Sequence, residues 1–155
     1  MAEPTQLDRT YHYVLSTMVE RGQAPHYTEI AKEFLVSPDE GKAMLHELMA
    51  AGLPNWLHPG TDLIGSIAPF NNLPTHYRVS VDGEQKWFAQ CGLEAKAISA
   101  LFPGKTVRVD APCLASGADL TFAMRDGEIE SATPAGIHFY VNLPVKKWYG
   151  DLPFA

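Results

Sequence analysis

Cysteine is scarce in this chain, which has only Cys91 and Cys113. Two cysteines cannot build the disulfide framework of a small secreted domain, and these two are not in Cys-x-x-Cys zinc spacing. The six histidines are scattered, without an HxH or HExxH pairing. Single histidines such as His58 and His138 therefore read as core or surface residues. Basic residues are also in deficit, with 12 Lys and Arg against 18 Asp and Glu, a net charge of -6. Affinity for nucleic acid comes mainly from Lys and Arg neutralising phosphates, so this balance argues against a polyanionic partner. No apolar run is long enough to cross a bilayer, and the start MAEPTQLDRTYHY has no signal-peptide core. These absences predict a soluble, cytoplasmic protein with neither membrane nor nucleic acid as partner.

What is present is enough for a core. The chain has 155 residues, 46% of them hydrophobic, which suits one ordinary domain or two small ones. The first half reads as helices. Leu7, Tyr11, Val14, Leu15 and Met18 recur at helical spacing, and Arg21-Gly22 closes the run. A second helix is expected from Thr28, with Ile30, Ala31, Phe34 and Leu35 facing inward. The third start is the clearest. In "SPDE", Ser37 is an N-cap, Pro38 takes the first helical position and Glu40 completes a capping box. That helix should pass through Met44 and Leu48 and stop at Gly52.

Three short helices with a tight last connection suggest a helix-turn-helix, and "LHPGTDLIGSIAPF" could supply a wing. The charges argue against DNA reading. The would-be recognition helix opens with Asp39 and Glu40, and Met1 to Ser80 holds nine acidic and five basic residues.

From about Pro74 the pattern changes. "HYRVSVDGEQKWFA" is two alternating runs around Asp82-Gly83, a strong hairpin signal. A helix is expected from Cys91 to Phe102, with Leu93, Ala97, Ile98 and Leu101 as its apolar stripe. "TVRVDAP", "ADLTFAM", the turn "RDGE" and "GIHFYVNLP" then read as antiparallel strands. The expected fold class is α+β. An N-terminal three-helix winged-helix-like region (1–73) precedes a mostly antiparallel β-sheet domain with one inserted helix (74–155), and "APFNNLP" (68–74) marks the boundary.

The stretch "WFAQCGLEA" carries the most chemistry. Cys91 and Glu94 stand three apart on the expected helix and so share a face. A helix start favours a thiolate, and a neighbouring carboxylic acid can deliver a proton to whatever leaves a sulfur-bound atom. On spacing alone, a small core cysteine with a solvated glutamate is the simpler account. Cys113, in "DAPCLASG", reads first as a packing residue. Near Cys91 it would add a second soft ligand, but spacing does not establish that. Trp56, Trp87, Trp148, Tyr140 and Tyr149 form no stacking platform with basic residues, and Lys146-Lys147 is too short for a basic patch.

The order of these features resembles the bacterial alkylmercury (organomercurial) lyase family. The shared elements are the "VDG" hairpin, an aromatic-rich strand running into Cys-x-x-Asp/Glu, and a helix reaching "LFPGKTVRV". After these come a cysteine before "ASG", then "PAG" and "LP". The resemblance covers most of the chain. It implies that Cys91 attacks and holds mercury, that Glu94 protonates the departing carbon, and that Cys113 is structural. The family usually has aspartate where Glu94 stands, so the acid here sits on an arm one methylene longer.

No organic cofactor is implied. The implied partners are an organomercurial or other small-molecule substrate, with small thiols to release the metal. The resemblance also places a second mercury-binding cysteine in a strand after "LP", whereas no cysteine follows Cys113 in this sequence. Two expectations follow from that. Either the activity is impaired or lost, or the polypeptide has been cut short, one specific version being a selenocysteine codon after Ala155 that is read as a stop. The rival readings are a non-catalytic module binding a soft metal or small ligand through Cys91, and a winged-helix transcriptional regulator.

Overall fold

The computed structural model of the protein describes residues 3–52 and 54–138. The chain divides into two compact units, Met1–Ile67 and Ala68–Ala155. The described residues form four α-helices, a short 3-10 helix and eight strands, and every strand pairing within either unit is antiparallel. The class is α+β.

The first unit contains α1 (Gln6–Arg21), α2 (Tyr27–Glu33), α3 (Pro38–Ala50), β1 (Asn55–Leu57) and β2 (Ile64–Ile67). Each helix starts on a capping box: Thr5 with Asp8, His26 with Glu29, and Ser37 with Glu40. These reciprocal bonds occupy amide donors that a helix start otherwise leaves unpaired. Gly22 ends α1 in the left-handed region at φ 73°, where a side chain would be strained.

Val14, Met18, Ile30, Leu45 and Leu48 are essentially inaccessible and form the apolar centre of this unit. Helices α2 and α3 touch at Gly41. A Cβ there would stand 2.6 Å from the Ala31 Cβ and 2.7 Å from the Tyr27 carbonyl. The β1–β2 loop is tied to α3 through Asp62, which accepts from Lys42 Nζ and pairs with His46 Nε2, each at 2.7 Å. Those partners, Lys42 first, hold the Asp62 carboxyl below the usual range.

Leu35 departs from the expected inward face. It follows the end of α2, is 92% exposed and has φ 55°. The helix stops at Glu33, so the spacing that would have turned Leu35 inward no longer applies.

The second unit is a sheet in the order β3-β5-β4-β6-β7-β8. Its strands are β3 (Phe70–Asn71), β4 (Arg78–Val81), β5 (Glu84–Ala89), β6 (Val107–Pro112), β7 (Asp119–Arg125) and β8 (Glu128–Thr133). Asp82 and Gly83 both take positive φ, as do Asp126 and Gly127. That is the chemistry of tight hairpin turns. Along β4 and β6, Val79, Val81, Val107, Val109 and Ala111 face the core, while Arg78 and Arg108 face solvent. Strands β5 and β6 both pair with β4 in antiparallel fashion, so they run parallel to each other. Parallel strands need a crossover connection, usually helical. That connection is α4 (Gly92–Ala97) followed by a 3-10 turn (Ile98–Leu101).

The α4 stripe also differs from expectation. Ala95, Ile98 and Ser99 are buried, whereas Leu93 is 50% exposed and Ala97 lies on the surface. The switch to 3-10 geometry after Ala97 shifts the buried face, since three residues per turn replace 3.6. Trp87 and Phe102 close the core edge to face, with ring centroids 5.0 Å apart. Strand β8 was not anticipated, because its mostly exposed, polar "EIESAT" shows no apolar alternation. The "GIHFYVNLP" strand lies almost wholly outside the described residues.

Candidate thiol–carboxyl site

Strand β5 delivers Cys91 to the end of the sheet opposite the Asp82-Gly83 turn. Cys91 is the N-cap residue of α4, with extended backbone (φ -150°, ψ 176°), and its carbonyl accepts the Ala95 N–H at 2.9 Å. Its sulfur makes no capping bond of ordinary geometry, yet it faces the N–H groups of Glu94 and Leu93.

The Glu94 side chain lies near this sulfur, close enough for each group to shift the other's titration. Both are half-buried. Burial pushes the Cys91 thiol above its ordinary value and outweighs the N–H groups of Glu94 and Leu93, which favour the thiolate. Burial also pushes the Glu94 carboxyl up, to about 7, against the opposing effect of Cys91. The helix start is therefore not enough by itself to make Cys91 a ready thiolate. The pair instead holds an acidic proton at neutral pH beside a soft nucleophile, and its two titrations are coupled.

A third group completes the surroundings. Tyr77 precedes β4 and shares the inward parity of Val79 and Val81. Its hydroxyl lies near the Gly92 amide and Cys91. Burial, and then proximity to Cys91, hold this phenol above its usual pKa, with the Gly92 N–H opposing them. Sequence reading missed Tyr77. Its alternation with Val79 and Val81 in "HYRVSV" was the available signal.

Cys113 emerges beyond β6 at the same end of the sheet as Cys91. One strand, β4, separates β5 from β6, which puts their backbones roughly 10 Å apart. Cys113 opens a tight turn: its N–H donates to the Ala118 carbonyl and its carbonyl accepts from Gly117 N–H, both at 2.7 Å. The Ser116 hydroxyl, then the Ser116 and Ala115 N–H groups, hold this half-buried thiol below its ordinary pKa. The described residues hold no cluster of three or more His, Cys, Asp or Glu side chains placed to share a metal. Glu94 is thus brought to Cys91, while Cys113 joins no such group.

An open, largely apolar groove runs along the outer side of α4 between Leu93, Glu94, Ala97 and Ala100, with Gly127 opposite. A second concavity, between Arg78, Arg108, Asp110 and Thr121, lies on the solvent face of the sheet. There the Arg108 guanidinium is committed to Asp110 through contacts of 2.7 to 3.1 Å. No described helix is long and apolar enough to cross a membrane.

The fold and site define an α+β protein with a thiol and a carboxyl joined at the start of a crossover helix. Residues 70–151, just over half of the chain, match the family described as MerB, alkylmercury lyase. The chain belongs to that family. Its structure is similar to the crystal structure of the mercury-bound form of MerB2, with a TM-score of 0.59 and 16% sequence identity. The match covers 84% of this chain and 68% of that one, and at this identity the likeness is one of fold. No curated protein matches the chain in sequence.

Proposed function

We propose that this protein cleaves carbon–mercury bonds by protonolysis. In this reading the Cys91 thiolate attacks the mercury of an organomercurial and displaces the thiol or halide it arrived with. The proton of Glu94 then goes to the carbon as the C–Hg electron pair becomes a C–H bond. Mercury(II) stays on the Cys91 sulfur and Glu94 is left ionised. Small thiols in solution then remove the metal, and Cys113 serves the framework. One observation carries the proposal: a half-buried carboxyl, its pKa pushed up to about 7, neighbours the thiol three residues before it. An acid in that range is half protonated at neutral pH and can act as a donor there.

The N-terminal residues 1–73 are read as a winged-helix-like region with a structural role, and 74–155 as the lyase-like part. Three capped helices followed by the β1–β2 hairpin support the first assignment. Asp39 and Glu40 in the first turn of α3 speak against DNA reading.

Methylmercury with excess small thiol provides the test. Methane should be released by the native protein, abolished in Cys91→Ser and cut at least ~100-fold in Glu94→Gln. Mercury retained by Cys91 without methane would instead leave a soft-metal binding site. A salt-sensitive shift of DNA in a gel would favour the regulator.

A further inference from the structure

The ladder between β4 and β5 changes at the end that leads to Cys91. The register that pairs Val79 with Trp87 and Arg78 with Phe88 sets Tyr77 opposite Ala89. Residues of a bonded antiparallel pair exchange both of their N–H···O bonds. One of the two is present here, since the Ala89 N–H donates to the Tyr77 carbonyl at 3.0 Å. In place of the other, the Tyr77 N–H donates to Thr75 Oγ1 at 3.2 Å, and that hydroxyl donates to the Ala89 carbonyl at 2.7 Å. A side-chain hydroxyl is thus inserted where one backbone bond would close the ladder.

Two hydrogen bonds in series span more than one. The pair is therefore closed on one side and opened on the other. The opened side is the one toward Cys91, because the Ala89 carbonyl belongs to the peptide that leads into Gln90. Across β5, the Gln90 N–H donates to the Pro69 carbonyl at 3.2 Å, next to the Phe70–Ala89 pair with β3. Just past this point the Cys91 carbonyl accepts the Ala95 N–H at 2.9 Å. The half-buried cysteine thus leaves a strand end that is held on both edges, on one of them by the Thr75 hydroxyl.

We propose that Thr75 is a positioning residue for Cys91, its hydroxyl wedging β4 from β5 at the last ladder position and so aiming the chain out of the sheet into α4. Thr75 acts through the Ala89 and Gln90 backbone. The catalytic meaning of the wedge rests on the proposed function, but its effect on the thiol can be read without any organomercurial.

The test is Thr75→Val, which removes the hydroxyl and keeps the branched shape, set against Thr75→Ser, which keeps the hydroxyl. Iodoacetamide alkylation is followed across a range of pH, with the two cysteines resolved by mass spectrometry. In Thr75→Val, Cys91 should react about threefold or more faster at neutral pH, and its profile should move to lower pH, because a strand end without the wedge no longer keeps the sulfur half-buried. Cys113 in the same molecules is the internal reference and should keep its rate. Thr75→Ser should behave as the native protein. If Thr75→Val does not fold, Thr75→Ala lacks the same hydroxyl without the extra methyl and takes its place. A lower thermal midpoint with an unmoved Cys91 profile would mean a purely structural bond and overturns the proposal. So does a slower rate at Cys91, a parallel change at both cysteines, or a Thr75→Ser protein that reacts like Thr75→Val. The lyase reading fails on a different measurement, methane release by the native protein, so the two failures are told apart.

Discussion

The Glu94 carboxyl neighbours the Cys91 thiol at the start of α4, and burial raises the pKa of both groups. Two groups that would each be ionised or ionisable in water are thereby biased toward their neutral forms. The pair gains a transferable proton at the cost of a less ready thiolate.

That bias has a stability consequence. The folded pKa of Glu94, about 7, exceeds its ordinary 4.5, so the folded chain keeps a proton that the unfolded chain loses first. Stability from this group is full below about pH 4.5 and is lost as pH rises toward about 7. Glu94→Gln should lack that fall and be the more stable form above pH 7, by about 2 kcal/mol once partial solvent exposure is discounted. Urea unfolding at pH 5 and pH 8 checks it, and parallel pH profiles for the two proteins would count against the buried acid.

The two cysteines should differ in reactivity. Ser116 and the Ala115 amide favour the Cys113 thiolate, whereas burial disfavours that of Cys91. Near pH 7, iodoacetamide should therefore modify Cys113 about tenfold faster than Cys91. Ser116→Ala should slow Cys113 several-fold and leave Cys91 alone. Equal rates in the native protein would contradict the two environments.

Gly41→Ala should be strongly destabilising. Its new methyl would overlap Ala31 Cβ at 2.6 Å and, at 2.8 Å, the Ala31 backbone nitrogen, and backbone cannot rotate aside. Prising α2 from α3 should cost about 3 kcal/mol, read as a large drop in thermal midpoint. A drop within experimental error would mean that the two helices can separate freely at this contact.

Leu35→Asn should stabilise. Leucine at φ 55° carries the left-handed penalty, and at 92% exposure it buries almost nothing in return. Asparagine tolerates that conformation, so a gain of about 0.5–1 kcal/mol is expected in chemical denaturation. A loss of stability would show that Leu35 makes a contact that its exposure does not reveal.

The legible parts of this chain were those written in local chemistry. "SPDE" announced the start of α3 because the cap, the proline and the returning glutamate all lie within four residues. The Asp82-Gly83 and Asp126-Gly127 turns were equally plain, since few other pairs accept positive φ twice in succession. Cys91 and Glu94 could be placed on one helical face from spacing. What spacing could not show was their burial, which raises both pKa values and depends on the sheet beneath α4. Tyr77 was hidden for a related reason. It comes near Cys91 only because β4 lies beside β5, and that adjacency is a property of the folded sheet. Strand β8 is held by pairing with β7 rather than by an apolar face, so periodicity had nothing to detect.

The hairpin aspartates have one more effect. Asp82 Oδ1 accepts the Thr106 N–H at 3.1 Å, and Asp126 Oδ1 accepts the Gly104 N–H at 2.7 Å. Arg125 adds bonds to the Gly104 carbonyl and to Thr106 Oγ1 at the same place. The segment returning from the 3-10 turn to β6 is thus stapled at the far margin of the sheet, remote from Cys91. One margin locks the topology while the other is left to present reactive groups. The anchoring of the crossover's return thus stands apart from the reactive pair, so a change at Cys91 or Glu94 leaves these hydrogen bonds in place.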